Sequence, residues 1–276
     1  MTYKNKIKIL QKLTCACIIS LSAASSTLAS KTEDFTGVIS FGDSFVSRPN
    51  SYAQTLTEQL GFAFERGETN FGHGRHGSAN MVGGDFPVFS NPAHSVPYAS
   101  DLDGYIAAKG RFGPNELIIY DPLSSEVANT YDPLSREIGG MRNLGVGFVA
   151  DVFANGLAAF TGNPADMSDL DTLTASGQVV DLNDLQDKVV DGSLEINAAN
   201  FPVLFGYLGL TENNTQNFVT QATLNGANYI VLSNHYNEAL RQALLLNDDF
   251  SGILSQKMAE AQIRGASKVS GANIIV

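Results

Sequence analysis

The position in this 276-residue chain best suited to covalent chemistry is Ser44, which closes the run Phe41-Gly42-Asp43-Ser44. The run follows Gly37-Val38-Ile39-Ser40-Phe41, a short apolar stretch that reads as a buried strand. If the strand belongs to an open α/β sheet, Ser44 projects from its carboxyl end, where such sheets bind their ligands. Gly42 permits a tight turn and the close approach of a substrate. The Ser44 N–H, at the start of a turn, can donate to a developing oxyanion. The chemistry these features suggest is attack of the Ser44 hydroxyl on an acyl carbonyl; the plainer reading is an Asp-Ser turn that ends a strand.

A serine hydroxyl is a weak nucleophile until a base lies within hydrogen-bond reach. The chain holds four histidines: His73, His76, His94 and His235. His235 follows the apolar run Asn228–Ser233, so it is expected at the same carboxyl-end edge and is the best placed substitute base. His73, His76 and His94, with Asp85, are ligand-type side chains, but Gly-rich segments gather such residues by chance, and neither a metal nor a cofactor is expected.

The elements that must position Ser44 are legible around it. Ser51 and Gln54 form a capping-box pattern, and Tyr52, Ala53, Leu56 and Leu60 recur at helical spacing. Residues 66–100, rich in Gly, Asn, Ser, Pro and His, read as a long surface loop. Leu117–Tyr120 reads as a second strand, ended by Asp121-Pro122. Residues 141–210 read as an insertion, with Val146 to Phe160 able to form a helix and the Asp-rich part from Asp166 to Asp191 solvated. A helix through Asn217 to Ala222 leads to Gly226 as its terminal glycine. The strand Asn228–Ser233, a helix marked by Phe250, Ile253, Leu254, Met258 and Ala261, and a last strand Ala272–Val276 follow. Strands alternating with helices predict an α/β fold with a mainly parallel sheet covered on both faces.

Several of these blocks together resemble the GDSL-type esterases and lipases of the SGNH hydrolase family. Val38-Ile39-Ser40-Phe41-Gly42-Asp43-Ser44 resembles the first block, with Phe45 where a Leu is usual; Thr69-Asn70-Phe71-Gly72-His73-Gly74 resembles the second. Gly226–Leu232 and Gly271–Val276 resemble two later strands. The resemblance implies a three-layer α/β/α sandwich of flavodoxin-like type, with Ser44 as nucleophile and the N–H groups of Ser44 and Gly74 as oxyanion donors. It implies hydrolysis of a small acyl-ester or lipid substrate. Three departures stand out. Arg75 replaces the second of two adjacent glycines, no Asn follows the strand at Tyr120-Asp121-Pro122, and the family's Asp-x-x-His is not among these residues. The chain stops inside an apolar strand, which reads as a fragment. The alternatives are therefore a truncated or degenerate, non-catalytic SGNH-like protein, or a secreted binding or passenger module.

Lys4, Lys6, Lys8 and Lys12, then an apolar stretch from Leu13 to about Ala24, then Thr27-Leu28-Ala29, read as a secretory signal cleaved after Ala29. The apolar run is too short to span a bilayer. The domains expected are thus a signal over 1–29 and one hydrolase-like domain over 30–276, secreted or periplasmic. Losing four lysines and no acid takes the net charge from −11 to −15. Cys15 and Cys17 leave too, so the mature chain has no thiol. So acidic a chain without a basic stripe is a poor partner for nucleic acid or anionic lipid. With hydrophobic types at 43% and charged types at 16%, it can bury a sizeable core.

Overall fold

The computed structural model describes residues 35–42, 44–47, 49–72, 81–88, 91–98, 100–121, 169–233 and 248–276. The elements are β1 (Gly37–Gly42), α1 (Ser44–Ser47), α2 (Tyr52–Gln59), β2 (Gly84–Val88), β3 (Asn91–Tyr98), α3 (Asp101–Lys109), β4 (Glu116–Asp121), α4 (Asp169–Ala175), α5 (Leu182–Val190), α6 (Pro202–Leu224), β5 (Tyr229–Leu232), α7 (Asp248–Ser267) and β6 (Asn273–Ile275). The expected signal, Cys15, Cys17 and the apolar residues from Val146 to Phe160 lie outside the described residues.

β1, β4, β5 and β6 pair in that order, all parallel. On the other side of β1 a further parallel bridge joins Ser40 to Asn70. The Ser40 N–H donates to the Thr69 carbonyl at 2.8 Å, and the Phe71 N–H to the Ser40 carbonyl at 2.8 Å. The chain thus goes one way from β1 to Thr69–Phe71 and the other way from there to β4, β5 and β6. Right-handed crossovers require helices on opposite faces for opposite directions, and the buried side chains sort accordingly. Val38, Leu117, Ile119 and Val231 pack with Val46 of α1 and Ala53 of α2. Ile39, Phe41, Ile118, Tyr120, Ile230 and Leu232 pack with Leu102 and Tyr105 of α3, Phe218, Val219 and Ala222 of α6, and Ala266 of α7. The expectation of an α/β fold on a parallel sheet holds. Among the described residues no helix is long and apolar enough to cross a membrane.

Some helix ends have local causes and one does not. The Ser51 side chain accepts the Gln54 N–H at 3.0 Å, capping α2 as its spacing predicts. The reciprocal bond goes one residue further out, from the Asn50 N–H to Gln54 Oε1 at 2.8 Å. α6 ends before Gly226, which has φ +101 and follows the cap residue Asn225. The start of α6 lacks a local side-chain cap. It is closed instead by Asp169, 35 residues upstream, whose Oδ2 accepts the Leu204 N–H at 2.8 Å.

Two expectations are corrected. Residues 66–100 are not simply a surface loop, because β2 and β3 form an antiparallel hairpin there and Met81 and Val82 are buried. Pro87, Pro92 and Pro97 obscured the strand signal; a two-stranded ribbon is all edge, so prolines are tolerated in it. The Asp-rich stretch is not wholly solvated either. Asp169 is buried as a cap, and Leu170, Leu173, Leu185 and Val189 of α4 and α5 join a core with Leu204 and Leu208 of α6 and Phe250, Leu254 and Met258 of α7. We expect Asp169→Ala to cost about 1–2 kcal/mol, from the lost cap and a buried N–H left unpaired. A thermal melt should fall by roughly 3–6 °C, and an unchanged midpoint would show the cap to be dispensable.

α6 and α7 approach each other very closely at Gly265. A Cβ built there would lie 2.2 Å from the Glu212 carbonyl oxygen and 3.1 Å from the Gln216 nitrogen. Arg264 and Lys268 flank the contact and pair with the Glu212 carboxylate at 2.9 and 2.5 Å. Their hydrogen bonds, Lys268 first, hold that carboxyl below its ordinary range. Alanine at Gly265 has to push two helix backbones apart, which outweighs its gain of about 1 kcal/mol in helix propensity. Gly265→Ala is expected to cost about 3 kcal/mol and to lower the melting temperature by roughly 6–12 °C, read by circular dichroism.

Candidate functional site

The reversal of direction at β1 is a topological switch point, and open α/β sheets bind ligands outside the carboxyl ends of their strands at such a point. Four segments meet there. β1 ends at Gly42 and α1 begins at Ser44, β4 ends at Asp121 in register with Gly42, the Thr69–Phe71 segment leads to Gly72, and β5 gives way to Ser233. The Ser233 N–H donates to the Tyr120 carbonyl at 3.0 Å, so the chain leaves β5 beside the end of β4.

The turn bearing Ser44 is held by a small side chain keyed between two glycines. A Cβ at Gly42 would lie 2.3 Å from Val46 Cγ2 and 2.6 Å from the Asp121 carbonyl oxygen. A Cβ at Gly72 would lie 2.9 Å from Val46 Cγ1, 3.0 Å from Asn70 Oδ1 and 3.1 Å from the Ser47 nitrogen. Val46 is 1% exposed and fills the space both glycines leave. Only glycine at both places lets α1 settle so close to β1, β4 and the Asn70 turn, and so fixes where the Ser44 backbone sits.

Thr69–Gly72 is stitched to β1 by more than its backbone bridge. Asn70 is buried, and its Oδ1 accepts the Gly72 N–H at 2.9 Å and the Ser40 hydroxyl at 3.4 Å. Phe71 stacks on Phe41 with ring centroids 5.6 Å apart. Phe41 is fully buried, and Tyr105, Phe112 and Phe218 meet it edge-on at 5.9, 6.2 and 5.4 Å. Such aromatic contacts add about 0.5–1.5 kcal/mol per pair beyond burial, so the edge at Phe41-Gly42 has a rigid floor.

Of the residues singled out in the sequence, the structure puts Ser44 as the first residue of α1, directly beyond the β1 carboxyl end. The N–H groups of a first helical turn have no partner within the helix. The Gly72 N–H is committed to Asn70 Oδ1. Gly74, His73, His76 and His235 lie outside the described residues, as does Asp43. His94 belongs to β3 and Asp85 to β2.

Asp121 is the residue that sequence reasoning did not select. It is completely buried at the switch point, where a carboxylate is rarely found unless it is paired. Tyr52, the first residue of α2, is in its electrical reach. While 38% of Tyr52 remains exposed, its phenol is pushed above its usual range, first by burial and then by the Asp121 charge. The signal in the sequence was the acid that ends an apolar strand before Pro122; what it lacked was the register that sets Asp121 beside Gly42.

α6 also bears on this edge. Its 23 residues span about 35 Å, against about 20 Å for the 6 residues of β4. Its last turns cover the sheet and its first turns join the α4–α5 cluster, so that apolar cluster lies toward the carboxyl ends of the strands, the end that carries Ser44. No family model, curated protein or solved structure matches the chain.

Proposed function

We propose that the chain is a secreted or periplasmic ester hydrolase of the SGNH type. Residues 1–29 serve as its export signal, and its domain is a three-layer α/β/α sandwich. Ser44 is the nucleophile, the Ser44 and Gly74 N–H groups receive the oxyanion, and His235 is the substitute base. The substrate is a small acyl ester or a lipid ester, and no cofactor enters the reaction.

The observation that carries this reading is the stitching of Thr69–Gly72 to β1. Two sequence blocks nearly thirty residues apart meet at one switch point, beside a turn that a keyed valine holds. In the proposed reaction Ser44 Oγ attacks the acyl carbon as its proton passes to the base, the alcohol leaves, and water hydrolyses the acyl-enzyme. Pre-aimed N–H groups stabilise the charge that develops on the carbonyl oxygen.

A second reading, a secreted binding domain without turnover, is favoured by the departures at Arg75 and at Tyr120-Asp121-Pro122, where the resemblance calls for a glycine and an asparagine. Covalent labelling distinguishes the two. The purified protein is treated with a fluorophosphonate probe and the modified peptide is mapped by mass spectrometry, alongside hydrolysis of short p-nitrophenyl esters. A single adduct on Ser44 with measurable turnover supports the hydrolase; no adduct under conditions that label a serine esterase rejects it in favour of the binding domain.

A further inference from the structure

We propose that α6 and α7 enclose a buried water-binding site, built by the side chains of Thr211, Thr215 and Gln262. The inference stands apart from the reading of Ser44 and does not depend on it.

The two helices run side by side in the same direction. Leu204 and Leu208 of α6 share one apolar cluster with Phe250, Leu254 and Met258 of α7, and Phe218 and Ala222 share another with Ala266. The buried stripe of α6 steps by three or four residues through Leu204, Leu208, Thr211, Thr215, Phe218 and Ala222. That of α7 steps by four through Leu254, Met258, Gln262 and Ala266. Both helices thus interrupt their apolar stripe between the same two clusters. Tyr120, near the carboxyl end of β4, stacks on Phe218 with ring centroids 4.3 Å apart. The polar layer precedes Phe218, so it lies beyond that end of the sheet, between the sheet core and the α4–α5 cluster.

Thr211 and Thr215 are 0% exposed and Gln262 is 2% exposed. Among the described residues, neither threonine hydroxyl nor Gln262 Nε2 has a hydrogen-bond partner. Thr220, one turn further along α6, shows the usual local solution: its hydroxyl donates to the Gln216 carbonyl at 2.7 Å. Three polar groups buried without bonds would cancel a large share of a domain's net stability. Folded proteins meet such groups with ordered water, which makes roughly two to four hydrogen bonds at one place. Threonines four residues apart lie on one helix face, so one water can accept from one hydroxyl and donate to the other. Gln262 Nε2 donates to it from α7. The three side chains carry no charge, which suits water rather than an ion. The charged groups at the α6–α7 contact, Glu212, Arg264 and Lys268, bond to one another instead.

The test joins a high-resolution crystal structure to two near-isosteric variants. Density for ordered water is expected within about 2.6–3.2 Å of Gln262 Nε2 and of at least one of the two hydroxyls. Thr211→Val and Thr215→Val keep the shape and nearly the helix propensity of the residue, and remove a partner of that water. Each should lower the melting midpoint by roughly 3–6 °C. With no water present the same change deletes an orphaned hydroxyl, so midpoints at or above that of the wild type overturn the proposal. A wild-type crystal without density in the layer overturns it as well, even where a variant fails to fold. Density of a cation or a larger solute there overturns the assignment to water.

Discussion

Ser44→Ala is expected to abolish fluorophosphonate labelling and to lower ester hydrolysis by about a thousandfold or more. The loss follows from the chemistry: with no hydroxyl there is no atom to form the acyl-enzyme, and only binding and the oxyanion donors remain. The fold should survive, because Val46 anchors α1. Val46 is 1% exposed and keyed against Gly42 and Gly72. Circular dichroism of the variant should therefore overlay the wild type while activity vanishes. Hydrolysis that persists at the wild-type rate would assign the activity to another residue and end the case for Ser44.

Gly42→Ala should do what Ser44→Ala does not, and damage fold and site together. The added methyl meets Val46 Cγ2 at 2.3 Å and the Asp121 carbonyl oxygen at 2.6 Å. The valine also fills the space beside Gly72, and the carbonyl belongs to the neighbouring strand. The remaining response is for the β1–α1 turn to lift away from β4. A strain of this kind costs about 3 kcal/mol, a fall of roughly 6–12 °C in melting temperature. Because the turn carries Ser44, labelling should slow by at least about a hundredfold in the protein that remains folded, as misplacements near 1 Å do. Gly113→Ala is the matched control. A Cβ there meets Glu116 Cδ and Cγ at 3.3 Å, atoms of a flexible side chain that can give way, and labelling should be unchanged. A Gly42→Ala protein that labels at the wild-type rate would show that the turn does not position the nucleophile.

Set beside Gly265→Ala, the pair separates site from scaffold. Gly265 lies where α6 and α7 cross near Glu212, away from the β1 edge. Its variant should melt early and still label Ser44 below its transition. Loss of both properties in both variants would mean that the switch-point edge and the α6–α7 contact unfold as one unit.

Much of this fold is legible in the residues alone, because its signals are local. Val38, Ile39 and Phe41, Leu117–Tyr120 and Tyr229–Leu232 are short apolar runs between turn formers, and each is a strand near its expected limits. Ser51 with Gln54, and Gly226 after α6, mark helix ends through bonds that span only a few residues. The features that were hidden depend on a partner distant in the chain or on an element whose residues argue locally against it. Asp169 reads as one more solvated acid until Leu204 is brought to it. β2 and β3 carry prolines that argue against strand in any local window, yet pair as a ribbon whose edges tolerate them.

The candidate site divides along the same line. Sequence alone determined the serine and its glycine, because a strand followed by Gly-Asp-Ser needs no distant partner to be recognised, and it determined the parallel α/β class through the alternation of strand and helix. Tertiary structure decided what stands around that serine. Strand order made β1 the switch point, the Ser40–Asn70 bridge brought a second segment to it, and register placed Asp121 opposite Gly42. The physical reason is that register and burial are set by the packing of whole strands and helices against one another, through contacts of 3–6 Å between residues thirty to eighty positions apart. No window of sequence contains those contacts, and the surroundings of a reactive group are made of them.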